Sequence, residues 1–489
     1  MNSEIKGEVC MYINGELTQA ISGKTYENIN PATEEVIGVV ADASRTDMEH
    51  AIAAARRAFD STDWSTNHGF RLTILKKFAA AIKAAANDVL RPQIIAEAGQ
   101  PYYVTLGPGC DAPIEHLDWV LDTLANYRWE RDLPNIVSNG VDCERKVWKE
   151  AVGVIGAITP WNFPLQTNLA KIFPALAAGN TVVLKPAPDT PWTATALGKI
   201  AYDIGLPAGV LNIVTSSDPA EVGEVLTADS RVDMITFTGS TAIGKRIMSV
   251  CSATVKKVFL ELGGKSANII LDDANLSLGL LHGLAVCYHA GQGCAIDTRM
   301  LIPKSRYQEA VDILTPIFQG MSFGDPTDPQ FIMGPVINKK QYHKILGMIQ
   351  NGIEEGATLA AGGVPGDVNG KGYFIKPTLF THVHNDMMIA QQEIFGPVLV
   401  MISYEDDEDA IRIANDSVYG LSGSIHSASN ERALAMAKRI RTGTLNINGG
   451  TFYGGDAPFG GVKQSGIGRE MGLEGFEEYL DTKCVGYPA

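Results

Sequence analysis

The period of the apolar positions changes near residue 150. Before it they recur at helical spacing: Met48, Ile52, Ala55 and Phe59 predict a helix over 46–59, and Leu72, Leu75, Ala79, Ile82 and Ala86 predict a second. Thr46 and Glu49 have the spacing of a capping box for the first helix. After residue 150, short β-rich runs appear at 152–159, 181–185, 210–215 and 234–238, separated by helical stretches near 166–178, 192–204, 219–228 and 242–251. Nearly continuous apolar strands alternating with helices predict a parallel sheet covered on both faces. A second such pattern starts after 261. It has a strand at 267–271, a helix near 276–289, and strands near 298–302, 397–403 and 422–426. Further helices are expected near 305–318, 339–355, 407–414 and 430–440. The fold class is therefore α/β, with two domains and a crevice between them. The segments 127–151 and 476–489 are strand-like and partly polar, fit neither sheet, and read as a protruding arm.

Length and charge narrow the picture. A chain of 489 residues exceeds one core, and about 150 residues per unit predicts two to four. A net charge of −15 disfavours nucleic acid and anionic membrane surfaces, which repel it. Residues 1–20 are interrupted by Glu4, Lys6, Glu8 and Asn14, so no secretory leader is expected, and no run reaches the ~20 apolar residues of a membrane span. Seven cysteines are scattered without a Cys-x-x-Cys pair, which points to reduced thiols and a cytoplasmic location. His382 and His384 lack acidic or thiol partners at ligand spacing, so no metal is expected.

Candidate chemistry sits on turns sharpened by Gly and Pro. In open α/β sheets ligands bind beyond the carboxyl ends of the strands, which brings forward Asn162, Lys185, Gly239 and Ser240. Asn162 lies in Thr159-Pro160-Trp161-Asn162-Phe163-Pro164. Its amide suits an oxyanion, or equally a helix cap. Cys294, in Ala290-Gly291-Gln292-Gly293-Cys294, has small neighbours that let a substrate approach. Glu261, before Leu262-Gly263-Gly264, would have its pKa raised by desolvation at an apolar strand end, as a general base needs. Glu393, in Glu393-Ile394-Phe395-Gly396-Pro397, competes for that role or serves as a ribose ligand. Gly239-Ser240-Thr241-Ala242-Ile243-Gly244 follows a strand and opens a helix, where a pyrophosphate finds unpaired N–H groups. No Gly-x-Gly-x-x-Gly fingerprint follows any strand. Lys185 reads as a ribose or phosphate contact, or as a solvated lysine.

These segments, taken in order with Asn30-Pro31-Ala32-Thr33, Pro458-Phe459-Gly460-Gly461 and Ser465-Gly466-Ile467-Gly468-Arg469-Glu470, closely resemble the aldehyde dehydrogenase superfamily over the whole chain. The resemblance implies two Rossmann-like α/β domains and a small β oligomerisation arm. The dinucleotide-binding domain would comprise 1–126 and 152–260, the arm 127–151 and 476–489, and the catalytic domain 261–475. It implies Cys294 as nucleophile, Asn162 as oxyanion amide and Glu261 as the base that activates water. The cofactor NAD⁺, or NADP⁺, would be held by Lys185, Gly239, Ser240, Gly244, Glu393 and Phe395, with Trp161, Thr159, Pro160 and Leu262 beside it. The implied course is a thiohemiacetal, a thioester and a released acid. One departure bears on the cofactor: Pro188 stands where many NAD-preferring relatives carry Glu, and Asp189 is a partial substitute.

The resemblance places the aldehyde pocket at Phe163, Gln166, Thr167 and Ala170, with Phe452, Tyr453 and Phe459 as an apolar wall. Ala170 leaves space, so a medium or large apolar or aromatic aldehyde is expected. The expected partners are that small molecule and copies of the chain, as a homodimer or homotetramer. A thiol hydrolase would need a histidine base, and His289 shows no partner pattern in sequence; a non-catalytic relative would be expected to lack Cys294 or Glu261.

Overall fold

The computed structural model describes residues 5–489. Its largest sheet has eight strands, and five central ones are parallel: Lys257–Glu261, Met234–Thr238, Val154–Ile158, Thr181–Lys185 and Leu211–Ile213, in that spatial order. Four of the five match an apolar run of the sequence, and Lys257–Glu261 is an additional strand. Strand order reverses at Val154–Ile158, whose neighbours are Thr181–Lys185 on one side and Met234–Thr238 on the other. The crevice at such a switch point opens beyond the carboxyl ends of the strands, where Thr159 to Asn162 lie.

A second sheet of seven strands is centred on Ser266–Ile270, Asp297–Pro303 and Val398–Tyr404, with Gly423–His426 on the far side. Both faces of the first sheet and the interior of the second are packed with aliphatic side chains. The chain does not divide into consecutive blocks. Met11–Ile13 and Glu16–Thr18 edge the first sheet on one side, and Gly466–Ile467 pairs antiparallel with Leu260–Glu261 on the other. Val141–Ala151 is flanked by Glu130–Ser138 and Leu480–Pro488 in a separate three-stranded antiparallel sheet, the expected arm. Its last strand starts at Leu480 because Gly472–Glu477 is helical. Among the described residues no helix is long and apolar enough to cross a membrane.

Three local details differ from the pattern reading. The first helix runs Arg45–Ser61, and its capping box is Ser44 with Asp47, not Thr46 with Glu49. Asp47 is buried and accepts from the Ser44 amide at 2.8 Å, the Ser44 hydroxyl at 2.7 Å and the Ile21 amide at 2.9 Å. Glu49 is half-exposed and faces Arg45 across 3.7 Å. The helix expected over 276–289 stops at His282 and continues as a tighter turn to Gly291. There His289 and Ala290 take positive φ of 47° and 52°, so the chain reverses toward Cys294. A hairpin of Thr25–Ile29 with Val36–Ala41 and a helix over Asp111–Asn126 were not foreseen; Cys110 before that helix offers no capping side chain.

Removing the Asp47 carboxylate leaves three donors near the helix start without an acceptor. Asp47→Ala is expected to cost about 1–3 kcal/mol, seen as a lower urea unfolding midpoint.

Candidate active site

A cavity of about 780 Å³ opens along the carboxyl edge of the first sheet. Thr159, Pro160, Trp161 and Asn162 enter it from the switch-point strand, and Lys185 from the next one. Gly239 and Ser240 line it at the start of the helix Thr241–Cys251, Glu261 and Leu262 at the end of the outer parallel strand. Cys294, Glu393 and Phe395 close it from the second sheet's side. Gly244 does not line it. A Cβ there would fall 2.6 Å from Leu262 Cδ2, so this glycine lets the helix approach the strand end.

The loop of Cys294 is fixed to the end of the first sheet by hydrogen bonds. Asn162 Nδ2 donates to the Gln292 carbonyl at 2.9 Å. The Asn162 carbonyl accepts from Gln100 Nε2 at 2.7 Å and from His289 Nε2 at 2.8 Å. Gln292 donates to the His289 and Pro335 carbonyls and accepts from the Ile337 amide. Gly291 has φ +72°, and a Cβ on it would sit 2.0 Å from the Gly396 carbonyl. Gln100, His289 and Gln292 are therefore positioning residues. Sequence reasoning missed them, because each acts through a main-chain carbonyl or amide far away in sequence. Burial holds His289 near a pKa of about 4, so it is neutral and suited to this fixed role.

The two glycines after Glu261 each admit a neighbour. A Cβ on Gly263 would meet Glu393 Oε2 at 2.4 Å, and one on Gly264 would meet the Cys294 carbonyl at 2.6 Å. Glu393 Oε1 accepts from the Gly264 amide at 3.0 Å, which gives that carboxylate a fixed place. Glu261 is 2 % exposed and neither carboxylate oxygen has a hydrogen-bond partner. Burial drives its pKa well above the ordinary range, Glu470 adds to this, and Lys171 and Arg469 oppose it. Lys171 and Glu470, both buried, form an ion pair at 2.9 Å beside it. The Cys294 thiol is also pushed far up, by burial first and then by Glu261, Glu393 and Glu470. A free thiolate here is costly without a positive charge nearby.

Gln166 and Ala170 line an apolar recess with His116, Leu117, Trp119 and Val120. Phe452 stacks with Phe459 at 6.3 Å between centroids, and Tyr453 lies 5.1 Å from the His116 ring. Phe163 packs edge-on against His289 at 5.4 Å. Thr167 does not line the recess: its hydroxyl donates back to the Phe163 carbonyl at 3.0 Å within the helix. Asp189 turns away from the cavity and accepts from Asn338 at 2.8 Å, whereas Glu221, unremarked in the sequence, lines it. Lys185 is 2 % exposed, not solvated, and burial lowers its pKa to about 8.

The family model of the aldehyde dehydrogenases matches residues 18–485. A 3-succinoylsemialdehyde-pyridine dehydrogenase from a Pseudomonas species is 42 % identical over 480 residues, which are 97 % of each chain. A mitochondrial aldehyde dehydrogenase of Leishmania tarentolae is 39 % identical over 97 % of this chain and 94 % of its own. The crystal structure of betaine aldehyde dehydrogenase from Staphylococcus aureus in complex with NAD⁺ superposes with a TM-score of 0.94 at 35 % identity, covering 99 % of this chain and 95 % of that one. With matches of this extent in sequence and in structure, the chain belongs to the aldehyde dehydrogenase family.

Proposed function

We propose that the protein oxidises a medium or large apolar or aromatic aldehyde to its carboxylic acid with NAD⁺. The observation that carries this reading is the convergence of Cys294, Asn162 and a buried, unpaired Glu261 on one cavity.

The residues fit the dinucleotide. The cavity has the size of a cofactor site. A helix N-terminus opens into it at Ser240, the buried Thr238 hydroxyl lining it has no protein partner, and Lys185 reaches it from a neighbouring strand. Glu393 and Phe395 would flank the nicotinamide end, and Trp161, 5.4 Å from the Phe395 ring, supports that wall. The oxidised nicotinamide, when bound, supplies a positive charge near the thiol and the acceptor for the hydride. Glu221 on the cavity wall favours NAD⁺ by repelling a 2′-phosphate, a role that Asp189, held by Asn338, does not fill.

In this reading the Cys294 thiol, its proton released to water entering the cavity, adds as the thiolate to the aldehyde carbon. Asn162 Nδ2, with one N–H held by the Gln292 carbonyl, has its other N–H for the resulting oxyanion, a contribution worth ~10²–10³ in rate. Loss of hydride leaves a thioester on Cys294. Glu261 then takes a proton from water, and the hydroxide displaces the thiolate to release the acid. The short side chain of Ala170 on an apolar wall is the support for a bulky substrate. The exposed Val137, Val141 and Ile136 on the three-stranded sheet support a homo-oligomer built through the arm. Its state is read by light scattering. The seven free cysteines support a reducing, cytoplasmic setting.

Cys294→Ala is expected to abolish NADH formation at 340 nm, and retained turnover would refute the mechanism. Glu261→Gln should keep a single-turnover burst and lose steady-state turnover. Glu261 works only when deprotonated and its pKa is raised, so activity is expected to fall with decreasing pH from above the ordinary carboxylate range. Glu470→Gln removes a charge that raises it, so the acid limb of kcat should move to lower pH. Ala170→Trp should lower kcat/KM for benzaldehyde or octanal at least tenfold more than for acetaldehyde. Higher kcat/KM for acetaldehyde in the unaltered protein would overturn the substrate class.

A further inference from the structure

Directly after the Gly263–Gly264 turn, Lys265 points away from the cofactor cavity into a second, small one. It shares this cavity with Ser266, Arg299, Tyr419, Ser422 and Thr442. Lys265 is 2 % exposed, Ser266 4 % and Arg299 2 %. Lys265 Nζ has no hydrogen-bond partner in the protein, and neither does Ser266 Oγ. Arg299 is satisfied, but only by neutral acceptors. Its Nε donates to the Lys265 carbonyl, Nη1 to Asn385 Oδ1 and the Ile413 carbonyl, and Nη2 to the Ala414 carbonyl. Among the described residues neither cation hydrogen-bonds a carboxylate, and Asp416 and Asp297 act on Arg299 only through space. Glu393 acts on Lys265 only through space, because its own contact is the Gly264 amide.

Two cations buried side by side, with carboxylates acting only from a distance, are costly unless a counter-charge enters. Arg299 does not give up its proton. Lys265 could, and burial together with Arg299 brings its pKa down to about 7, yet a neutral amine would leave both Nζ and the Ser266 hydroxyl without a partner. The space for the centre of a water-sized sphere is about 10 Å³, or about one such sphere. Room for about one small occupant favours a monatomic anion over a tetrahedral oxyanion.

We propose that Lys265, Ser266 and Arg299 form a buried halide site, occupied by chloride, behind the turn that carries Glu261 and Glu393. Lys265 Nζ and Ser266 Oγ donate to the ion, and Arg299 contributes its field. The site is separate from the dinucleotide cavity and does not depend on the reaction assigned there.

Two measurements test it. The first is thermal unfolding in potassium chloride, bromide and gluconate at equal ionic strength. The second is bromide soaking of crystals of the unaltered protein, read by anomalous scattering. Halides are expected to raise Tm in a saturable way by about 2–4 °C over gluconate, and an anomalous peak should lie within hydrogen-bond reach of Lys265 Nζ. Lys265→Met should lose the halide dependence and Ser266→Ala should weaken it. If Lys265→Met does not fold, the bromide peak and Ser266→Ala still decide. A map with water alone at Lys265, no anomalous peak, or Lys265→Met unfolding with an undiminished halide response would overturn the proposal.

Discussion

The side-chain amide of Asn162 donates to the carbonyl of Gln292, and this bond joins the end of one sheet to the loop that carries the thiol. Neither sheet holds a complete site. Asn162 and Glu261 end strands of the first, and Cys294 and Glu393 come from loops of the second. The distance between the two halves must be held to a fraction of an ångström if a sulfur, an amide and a carboxylate are to meet one carbon. Gln100 and His289 hold the Asn162 carbonyl from two sides, so the amide is fixed through its own backbone. The left-handed residues His289, Ala290 and Gly291 are the backbone cost of bringing Cys294 there.

The same closeness sets the electrostatics. Glu261 is buried and has no hydrogen-bond partner in the protein, with Gly460 and the paired strand end of Gly466 packed beside its carboxylate. A base needs this, since a carboxylate satisfied by hydrogen bonds would be too weak. In the ion pair next to it Lys171 opposes the shift and Glu470 adds to it. Burial of the thiol works in the opposite direction from nucleophilicity. The site therefore favours the thiolate only when a positive charge is brought in, which would tie reactivity to cofactor occupancy.

The double glycine after Glu261 serves two faces at once. On one side Glu393 reaches the Gly264 amide, and on the other the Cys294 carbonyl passes within contact. The next residue, Lys265, faces the interior of the second sheet. One short turn thus contributes to the base, to the proposed ribose side and to a buried cation pocket. A substitution at either glycine would disturb all three.

Much of this was legible in the sequence, and the reason is local. Apolar runs such as Thr181–Val182–Val183–Leu184 can only be buried strands, and turn residues mark where they end. The order of the motifs around Asn162, Glu261, Cys294 and Glu393 therefore determined the family and pointed to side chains that the fold brings to one cavity. What sequence spacing left open was decided by packing between distant segments. Asp189 or Glu221 on the cavity, Gly244 against a strand or against a ligand, and Thr167 within its helix or in the recess all depend on which way a side chain turns in a crowded interior. The positions of Gln100, His289 and Gln292 belong to the tertiary structure alone, because each bonds a main-chain atom, and main-chain atoms leave no signature in the identity of their partners.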